Sequence, residues 1–283
     1  WILPSWRLYT YPSINIIRIN SILPEPSHFC ISMVPAFFIS VYEVINKSSP
    51  IHISKTARWL IISTFFLTFS TLGFVGIALS VLFITLRKVR LTYIVYGLTL
   101  ASFFIFISYQ YSEFTKSRLD GLFETFVEGE LSGKTNVSAF VMYNNFNVTI
   151  HTFLENPILG GGLGSYAISF DKYAIGGVYE IEAINNLNRT DANSLLFRAV
   201  AECGLAGLVF ILYFVLNNFV SKGETDDKLY WLICNSILVM ICLKLFRDGH
   251  YFVHGFPFFL WIYYLNKKKL LEIKSIKRHE SQI

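Results

Sequence analysis

Runs of about twenty mostly apolar residues recur along this chain and constrain its fold more than any other feature. A helix needs about 20 such residues to cross a hydrocarbon core of about 30 Å. Candidate stretches occupy roughly 27–45, 91–109, 191–219, 229–246 and 250–265. Only 15% of the 283 residues are charged, whereas soluble domains average about 25%. The sequence therefore predicts an all-α polytopic membrane protein.

The apolar run over 59–86 has two interpretations, because it is too long for one ordinary span. The polar segment from Thr68 to Gly73 lies near its middle. A hairpin of two helices, about 57–69 and 71–86, fits this pattern, and one long tilted helix is the alternative.

The basic residues favour the hairpin, since cytoplasmic loops are enriched in Lys and Arg. The tail over 266–283 carries six Lys and Arg residues and is expected to be cytoplasmic. Counting back, a hairpin also places the loop with Lys47, Lys55 and Arg58 inside. The prediction is about seven membrane helices, with 1–26 and 110–190 on the external side. The chain begins with Trp1 and shows no charged signal region, so we expect a truncated N-terminus with further spans upstream.

The external segment 110–190 is the most polar part of the chain. It holds nine acidic and five basic residues, a net charge of −4. We expect it to be a partly helical loop that caps the helix bundle. Within it, 136–156 predicts a helix that Pro157 ends, with apolar residues roughly on one side. These apolar residues are Val137, Phe140, Val141, Phe146, Ile150, Phe153 and Leu154.

A glycine-rich loop follows this predicted helix. Gly160, Gly161, Gly162 and Gly164 permit close backbone approach and leave N–H groups that can hold an anion. The pattern is neither a dinucleotide-binding fingerprint nor a P-loop. The loop is either a structural turn that seats the cap on the membrane helices or a backbone cradle for a phosphate or sugar.

The next apolar run begins with polar residues and carries two charges. Asp191 or Asn193 is expected to cap the helix. Asp191, Leu195, Arg198 and Glu202 follow helical spacing and are expected to share one face. Charges inside an apolar span are expensive and usually functional. The pair of Arg198 and Glu202 either locks helices together or lines an external cavity.

Small residues follow the charged pair in this run. Cys203, Gly204 and Gly207 are small residues at close spacing, which predicts close helix–helix contact.

Other charged residues lie at the external edges of the predicted spans. Arg18 and Glu25 precede the first span, Arg247 and His250 lie in the turn between the last two, and Arg189 ends the external segment. Several arginines together with Glu and His are typical of a site for an anionic lipid headgroup.

The chain resembles the O-antigen polymerase/ligase family of bacterial surface-polysaccharide assembly. The resemblance covers about 18–265. It rests on Glu25-Pro26-Ser27, on Thr68-Phe69-Ser70, on the run from Asn156 to Gly162, and on the run from Glu202 to Gly207. Members of that family are similar to the C-type glycosyltransferases, which use a lipid-linked sugar donor at the external face.

The resemblance implies a metal- and nucleotide-independent glycosyltransferase without a cofactor. Its expected substrate is an undecaprenyl-diphosphate-linked glycan, in a bacterial inner membrane. Membrane lipids, a flippase and a chain-length regulator are the expected partners, and no nucleic acid is expected. The expected catalytic residues are Arg198, Glu25, His250 and Asp191. The expected diphosphate-binding residues are Arg18, Arg247, Arg189, Gly161 and Gly162. The expected structural residues are Pro157, Gly160, Gly164, Asn193, Glu202 and Gly204.

Two departures from the family pattern favour a polymerase over a ligase. Ligase-type members usually carry His-Asn at the helix start that reads Asp191-Ala192-Asn193-Ser194 here. They also tend to carry an Arg in the helix before Asn-Pro, and 136–156 has none. A transporter or channel is the alternative of another class. It would be expected to carry charges along several spans, and 27–45 and 91–109 carry only Glu43.

Overall fold

A computed structural model describes residues 9–11, 16–46, 49–86, 120, 123, 136–221, 228–253 and 255–280. Two three-residue strands, β1 (Tyr9–Tyr11) and β2 (Ile16–Arg18), pair antiparallel near the N-terminus. Their Tyr-Thr-Tyr and Ile-Ile-Arg sequences are rich in residue types that favour strands. Apart from this short pair, the regular structure over the described ranges is all helical, as predicted.

Within the described residues, the helices occur in chain order as α1 (Pro26–Ile45), α2 (Lys55–Phe66), α3 (Thr71–Leu86), α4 (Val137–Glu155), α5 (Tyr166–Tyr173), α6 (Glu182–Asn185), α7 (Leu195–Asn217), α8 (Lys228–Phe246) and α9 (Phe256–Glu280). Among the described residues, α1, α7 and α8 are long and apolar enough to cross a membrane. These three helices indicate a membrane protein.

The arrangement of seven spans stays a prediction. The hairpin helices are found, with α2 shorter than predicted, but they have only 12 and 16 residues. The stretch 91–109 lies outside the described residues. The last helix begins at Phe256, not at 250, and continues through the basic tail to Glu280. Lys, Leu, Glu and Ile in that tail form helices readily, and no Gly or Pro interrupts them.

The chain divides into two compact units. The first unit comprises Trp1–Lys88, Tyr213–Lys244 and Tyr251–Ile283. In it, α1 packs against α2 and α3, with the rings of Phe37 and Phe65 stacked at 4.2 Å. The turn between α2 and α3 contains Phe69 at φ 43°, which is the predicted polar break.

Arg18 and Glu25, two of the expected site residues, belong to this first unit. Arg18 donates from Nε to the Thr68 carbonyl at 3.0 Å, so it binds the turn between α2 and α3. Glu25 precedes α1, is exposed, and accepts a hydrogen bond of 2.8 Å from the Ser27 hydroxyl. Both have structural partners of their own within this unit.

The second unit comprises Val89–Leu212 and Leu245–His250. Val148, Tyr166, Phe170, Ala192 and Ala201 form a buried cluster in it. The predicted helix over 136–156 is confirmed as α4, and the Asn136 side chain caps it by accepting from the Ser138 N–H at 3.0 Å.

The buried face of α4 carries polar as well as apolar residues. Asn144, Asn145, Thr149 and Thr152 are buried, whereas four of the apolar residues predicted to share one side of the helix are exposed. These four are Val137, Phe146, Ile150 and Leu154. Buried amides are stable here because they bond to neighbouring backbone, for example Asn144 Oδ1 to the Ile175 N–H at 2.7 Å.

Candidate active site

The start of α7 forms a tight turn, not the first turn of a helix. Ala192 and Asn193 both have left-handed backbone, at φ 59° and 57°. The helix therefore begins at Leu195, and Asp191 does not share its face. The cap is Ser194, because its Oγ accepts from the Phe197 N–H at 3.2 Å. This corrects the expectation that Asp191 or Asn193 caps the helix.

Ser194 also connects this turn to the end of α8. Its Oγ donates to the Leu245 carbonyl at 2.7 Å, and the Asp248 N–H donates to the Asn193 carbonyl at 2.9 Å. The short segment from Leu245 to His250 is thereby fixed against the start of α7. Asn193 keeps a structural role, but through its backbone.

Gly249 is the point of closest approach between these two segments. A Cβ at this position would lie 1.5 Å from the Asp191 carbonyl oxygen and 3.2 Å from that of Ser194. Only glycine fits such a contact. The sequence offered a weak signal for it, since Asp-Gly is a common turn pair, but no residue pattern named Asp191 as the partner.

The close approach at Gly249 brings His250 to Asp191. The imidazole Nε2 lies 3.2 Å from Asp191 Oδ2, with the Asp side chain 10% exposed and the His side chain 43% exposed. Asn188 donates to the other oxygen, Oδ1, at 2.8 Å. Asn188 and His250 therefore contact different oxygens of the Asp191 carboxylate, and the imidazole is accessible at the surface. No pattern in the sequence singled out Asn188.

Arg198 approaches the same glycine from the helix. Its Nε donates to Glu202 Oε1 at 2.9 Å, with the Arg side chain 16% exposed and the Glu side chain fully buried. Its Nη1 donates to the Gly249 carbonyl at 3.2 Å. The predicted pairing of Arg198 and Glu202 on one helical face is present. A guanidinium and an imidazole–carboxylate pair thus meet around one residue, Gly249.

The glycine loop packs against a break in α7. Gly204 has φ 58° and ψ −149° inside the helix, a backbone conformation that essentially only glycine adopts. A Cβ on Gly204 would lie 2.7 Å from the Gly160 nitrogen and from the Ile158 carbonyl. The sequence predicted close helix–helix contact at Gly204, whereas this glycine contacts the glycine loop.

Four backbone hydrogen bonds cross this break. The N–H groups of Leu205 and Ala206 donate to the carbonyls of Pro157 and Ile158, at 2.8 and 3.0 Å. In return, Gly161 and Gly162 donate to the carbonyls of Ala201 and Glu202, at 2.8 Å each. In an unbroken helix Leu205 and Ala206 would bond to those same two carbonyls. The loop therefore supplies partners for these two N–H groups and these two carbonyls.

This geometry corrects the expected role of Gly161 and Gly162. Their N–H groups are used in the bonds to α7, so they do not form an anion cradle. Pro157, Gly160 and Gly204 take part in this contact between the loop and α7. Gly164 has φ +79°, and no atom lies within 4 Å of the position that a Cβ would take there, so it serves the turn alone.

The two remaining expected arginines have different surroundings. Arg189 donates from Nε to Asp171 Oδ1 at 2.6 Å in an exposed ion pair. This pairing lowers the pKa of Asp171 and raises the pKa of Arg189, and it gives Arg189 a structural role. Arg247 is half-buried at the start of the turn that ends in His250.

Tyr166 is buried within range of the charges of Asp191 and Glu202, and its role was not predicted. Its hydroxyl donates to Asn145 Oδ1 at 2.8 Å. Burial is the main cause that raises its pKa, and the negative charges of Asp191 and Glu202 add to the effect. The phenol therefore stays neutral and joins α5 to α4.

No protein-family model, curated protein or solved structure matches this chain. Among the described residues, no group of three or more His, Cys, Asp or Glu side chains could hold a metal ion.

Proposed function

We propose that this protein is a membrane glycosyltransferase that polymerises lipid-linked oligosaccharides. In this proposal it joins undecaprenyl-diphosphate-linked repeat units at the external face of a bacterial inner membrane. The single observation that carries the proposal is the meeting of Arg198 with the Asp191–His250 pair around Gly249. These are the two kinds of group that the reaction needs, at the start of an apolar helix.

The proposed reaction transfers a glycan from a lipid diphosphate to a sugar hydroxyl. The acceptor oxygen forms a bond to the anomeric carbon, and the bond from that carbon to the diphosphate breaks. The diphosphate leaves with the electron pair. Arg198 would stabilise this developing charge, because a fixed guanidinium in a partly dehydrated site acts strongly on a phosphate oxygen.

His250 would act as the general base for the acceptor hydroxyl. Asp191 binds its Nε2 side, which orients the ring and stabilises the imidazolium once a proton arrives at Nδ1. The 43% exposed His side chain is accessible to an external sugar. Glu202 is a positioning residue, because its buried carboxylate orients the guanidinium of Arg198.

The test is deletion of the gene in its host, followed by complementation and gel analysis of surface polysaccharide. We expect loss of long polymer on deletion and no rescue by Arg198→Ala, which should lower polymerisation by about 10²–10³-fold. Polymer of unchanged amount and length after deletion would reject the proposal and favour a transporter or channel.

Arg58→Ala is the matched control. Arg58 pairs with Glu43 at 2.9 Å, and the two side chains are 18% and 9% exposed. The pair matches that of Arg198 and Glu202 in distance and closely in burial, but it lies in the first unit. If Arg198 only stabilises the fold, the two variants should lose polymer and protein to a similar extent.

The ligase is the second candidate, and one observation favours it. The helix start lacks the histidine that ligase-type members usually carry, yet His250 reaches Asp191 at that helix start from another segment. A ligase deletion should leave polymer on undecaprenyl diphosphate instead of on its final acceptor. Loss of the polymer itself identifies the polymerase.

A further inference from the structure

We infer that the glycine loop contacts a lipid bilayer, and that the membrane surface meets α7 at the Gly204 break. The loop side chains that enter the lipid interface are Ile158, Leu159 and Leu163. This inference concerns a lipid-binding surface and does not depend on the proposed polymerase activity.

The first observation is a change of environment along α7. From Leu195 to Gly204 every residue is buried or half-buried, and this part carries Arg198 and Glu202. Immediately after the break, large apolar side chains are exposed, including Leu205 at 50% and Phe210 at 67%. An apolar surface of this kind is expected on a helix that contacts lipid.

The second observation is the composition of the loop. Ile158, Leu159 and Leu163 are 68%, 72% and 79% exposed. Their backbone cannot fold away to bury them, because the loop is fixed to α7 by the four hydrogen bonds across the break. Leu154, at the adjoining end of α4, is also 69% exposed. So many exposed aliphatic side chains on and beside a rigid loop indicate that the loop inserts into the lipid interface.

The third observation limits how deep the loop can lie. Gly161, Gly162 and Gly164 are exposed, and an exposed glycine presents only backbone. Lipid-exposed irregular backbone does not occur within the hydrocarbon region, since each unsatisfied group costs several kcal/mol there. The loop, and the break to which it is bonded, therefore lie at the interface and not at the bilayer centre.

This placement changes the depth in the membrane that is expected for the pair of Arg198 and Glu202. The sequence placed Arg198 inside an apolar span, whereas the break leaves it on the loop side of the membrane surface. Gly204 follows Arg198 by six residues, about 9 Å along a helix. A guanidinium at that height can reach the headgroup layer without entering the hydrocarbon.

The apolar part of α7 is correspondingly short. Leu205 to Asn217 spans 13 residues, or about 20 Å, against a hydrocarbon thickness of about 30 Å. A hydrophobic stretch shorter than the hydrocarbon thickness is accommodated by local thinning of the bilayer or by snorkelling of flanking side chains, each at a modest cost. With the membrane surface at the break, α7 crosses such a locally thinned bilayer.

Photo-crosslinking of the full chain in vesicles tests the inference. p-Benzoylphenylalanine replaces Leu159 or Leu163, and the protein is reconstituted into phosphatidylethanolamine–phosphatidylglycerol vesicles and irradiated. Phe210 serves as the positive control, because it lies on the exposed apolar face of α7. We expect phospholipid adducts, detected by mass spectrometry, at all three positions.

Ile181 is the matched negative control. It is 62% exposed and near Tyr179, whose ring lies 5.1 Å from that of Phe140. Phe140 is 15 residues before the end of α4, about 22 Å along the helix. We expect at least a tenfold lower lipid yield at this position.

Two results would overturn the inference. One is a lipid yield at either loop position no higher than at Ile181. The other is adducts with protein, including a second copy of this chain, in place of lipid. The replaced side chains are exposed, so the variants should fold, and each must match the unmodified protein in apparent Tm to be counted.

Discussion

Replacement of Gly204 by alanine tests the central feature of the second unit. In a straight helix this change should be neutral or stabilising, because alanine has the higher helix propensity. At the observed break it introduces a Cβ that lies 2.7 Å from the Gly160 nitrogen and from the Ile158 carbonyl. It also forces alanine into a backbone region that only glycine occupies readily.

The expected cost follows from these two effects. The strained backbone costs about 1–3 kcal/mol. The four hydrogen bonds across the break contribute about 1 kcal/mol each, and displacement of the loop loses some or all of them. The sum is roughly 2–7 kcal/mol. At about 2–4 °C per kcal/mol, we expect an apparent Tm lower by roughly 4–28 °C.

Gly164→Ala is the control for this experiment. Gly164 also has a positive φ, of +79°, but no atom lies within 4 Å of the position of an added Cβ. The change should cost only about 1–2 kcal/mol, the penalty for left-handed backbone.

The assay measures the fraction of monodisperse protein that remains after heating in detergent, together with limited proteolysis of the loop from Pro157 to Ser165. We expect Gly204→Ala to open the loop to protease and Gly164→Ala to leave it protected. An apparent Tm of Gly204→Ala within about 2 °C of the unmodified protein would refute the account of the break. Equal losses in the two variants would attribute the effect to φ alone.

Three further substitutions probe the site and its support. Gly249→Ala should separate the two segments, because its Cβ would lie 1.5 Å from the Asp191 carbonyl oxygen, and polymer in the complementation assay should be lost. Ser194→Ala should lower the free energy of unfolding by about 0.5–2 kcal/mol through loss of the cap. Tyr166→Phe should cost about 1–3 kcal/mol at neutral pH by removing the donor to Asn145. Because burial raises the pKa of Tyr166, its stabilising effect is complete below the ordinary value of 10.0 and falls as pH rises above it. In thermal scans at alkaline pH, the apparent Tm of Tyr166→Phe should therefore fall less with rising pH than that of the unmodified protein.

Features that depend only on neighbouring residues were predictable from the sequence. Apolar runs of sufficient length predicted α1, α7 and α8 as membrane helices. The polar segment near Thr68 predicted the turn between α2 and α3, and Pro157 predicted the end of α4. The pair of Arg198 and Glu202 followed from their spacing of four residues, because residues one turn apart share a helical face.

Features that join distant segments were not predictable in this way, because they depend on long-range contacts. His250 and Asp191 are 59 positions apart and meet because Gly249 permits close contact. The break at Gly204 is stable because a loop about forty residues earlier supplies four hydrogen bonds. Local propensity favours a continuous helix there, and long-range backbone pairing overrides it. Burial of polar groups on α4 was equally invisible in the sequence, since their partners lie on other elements.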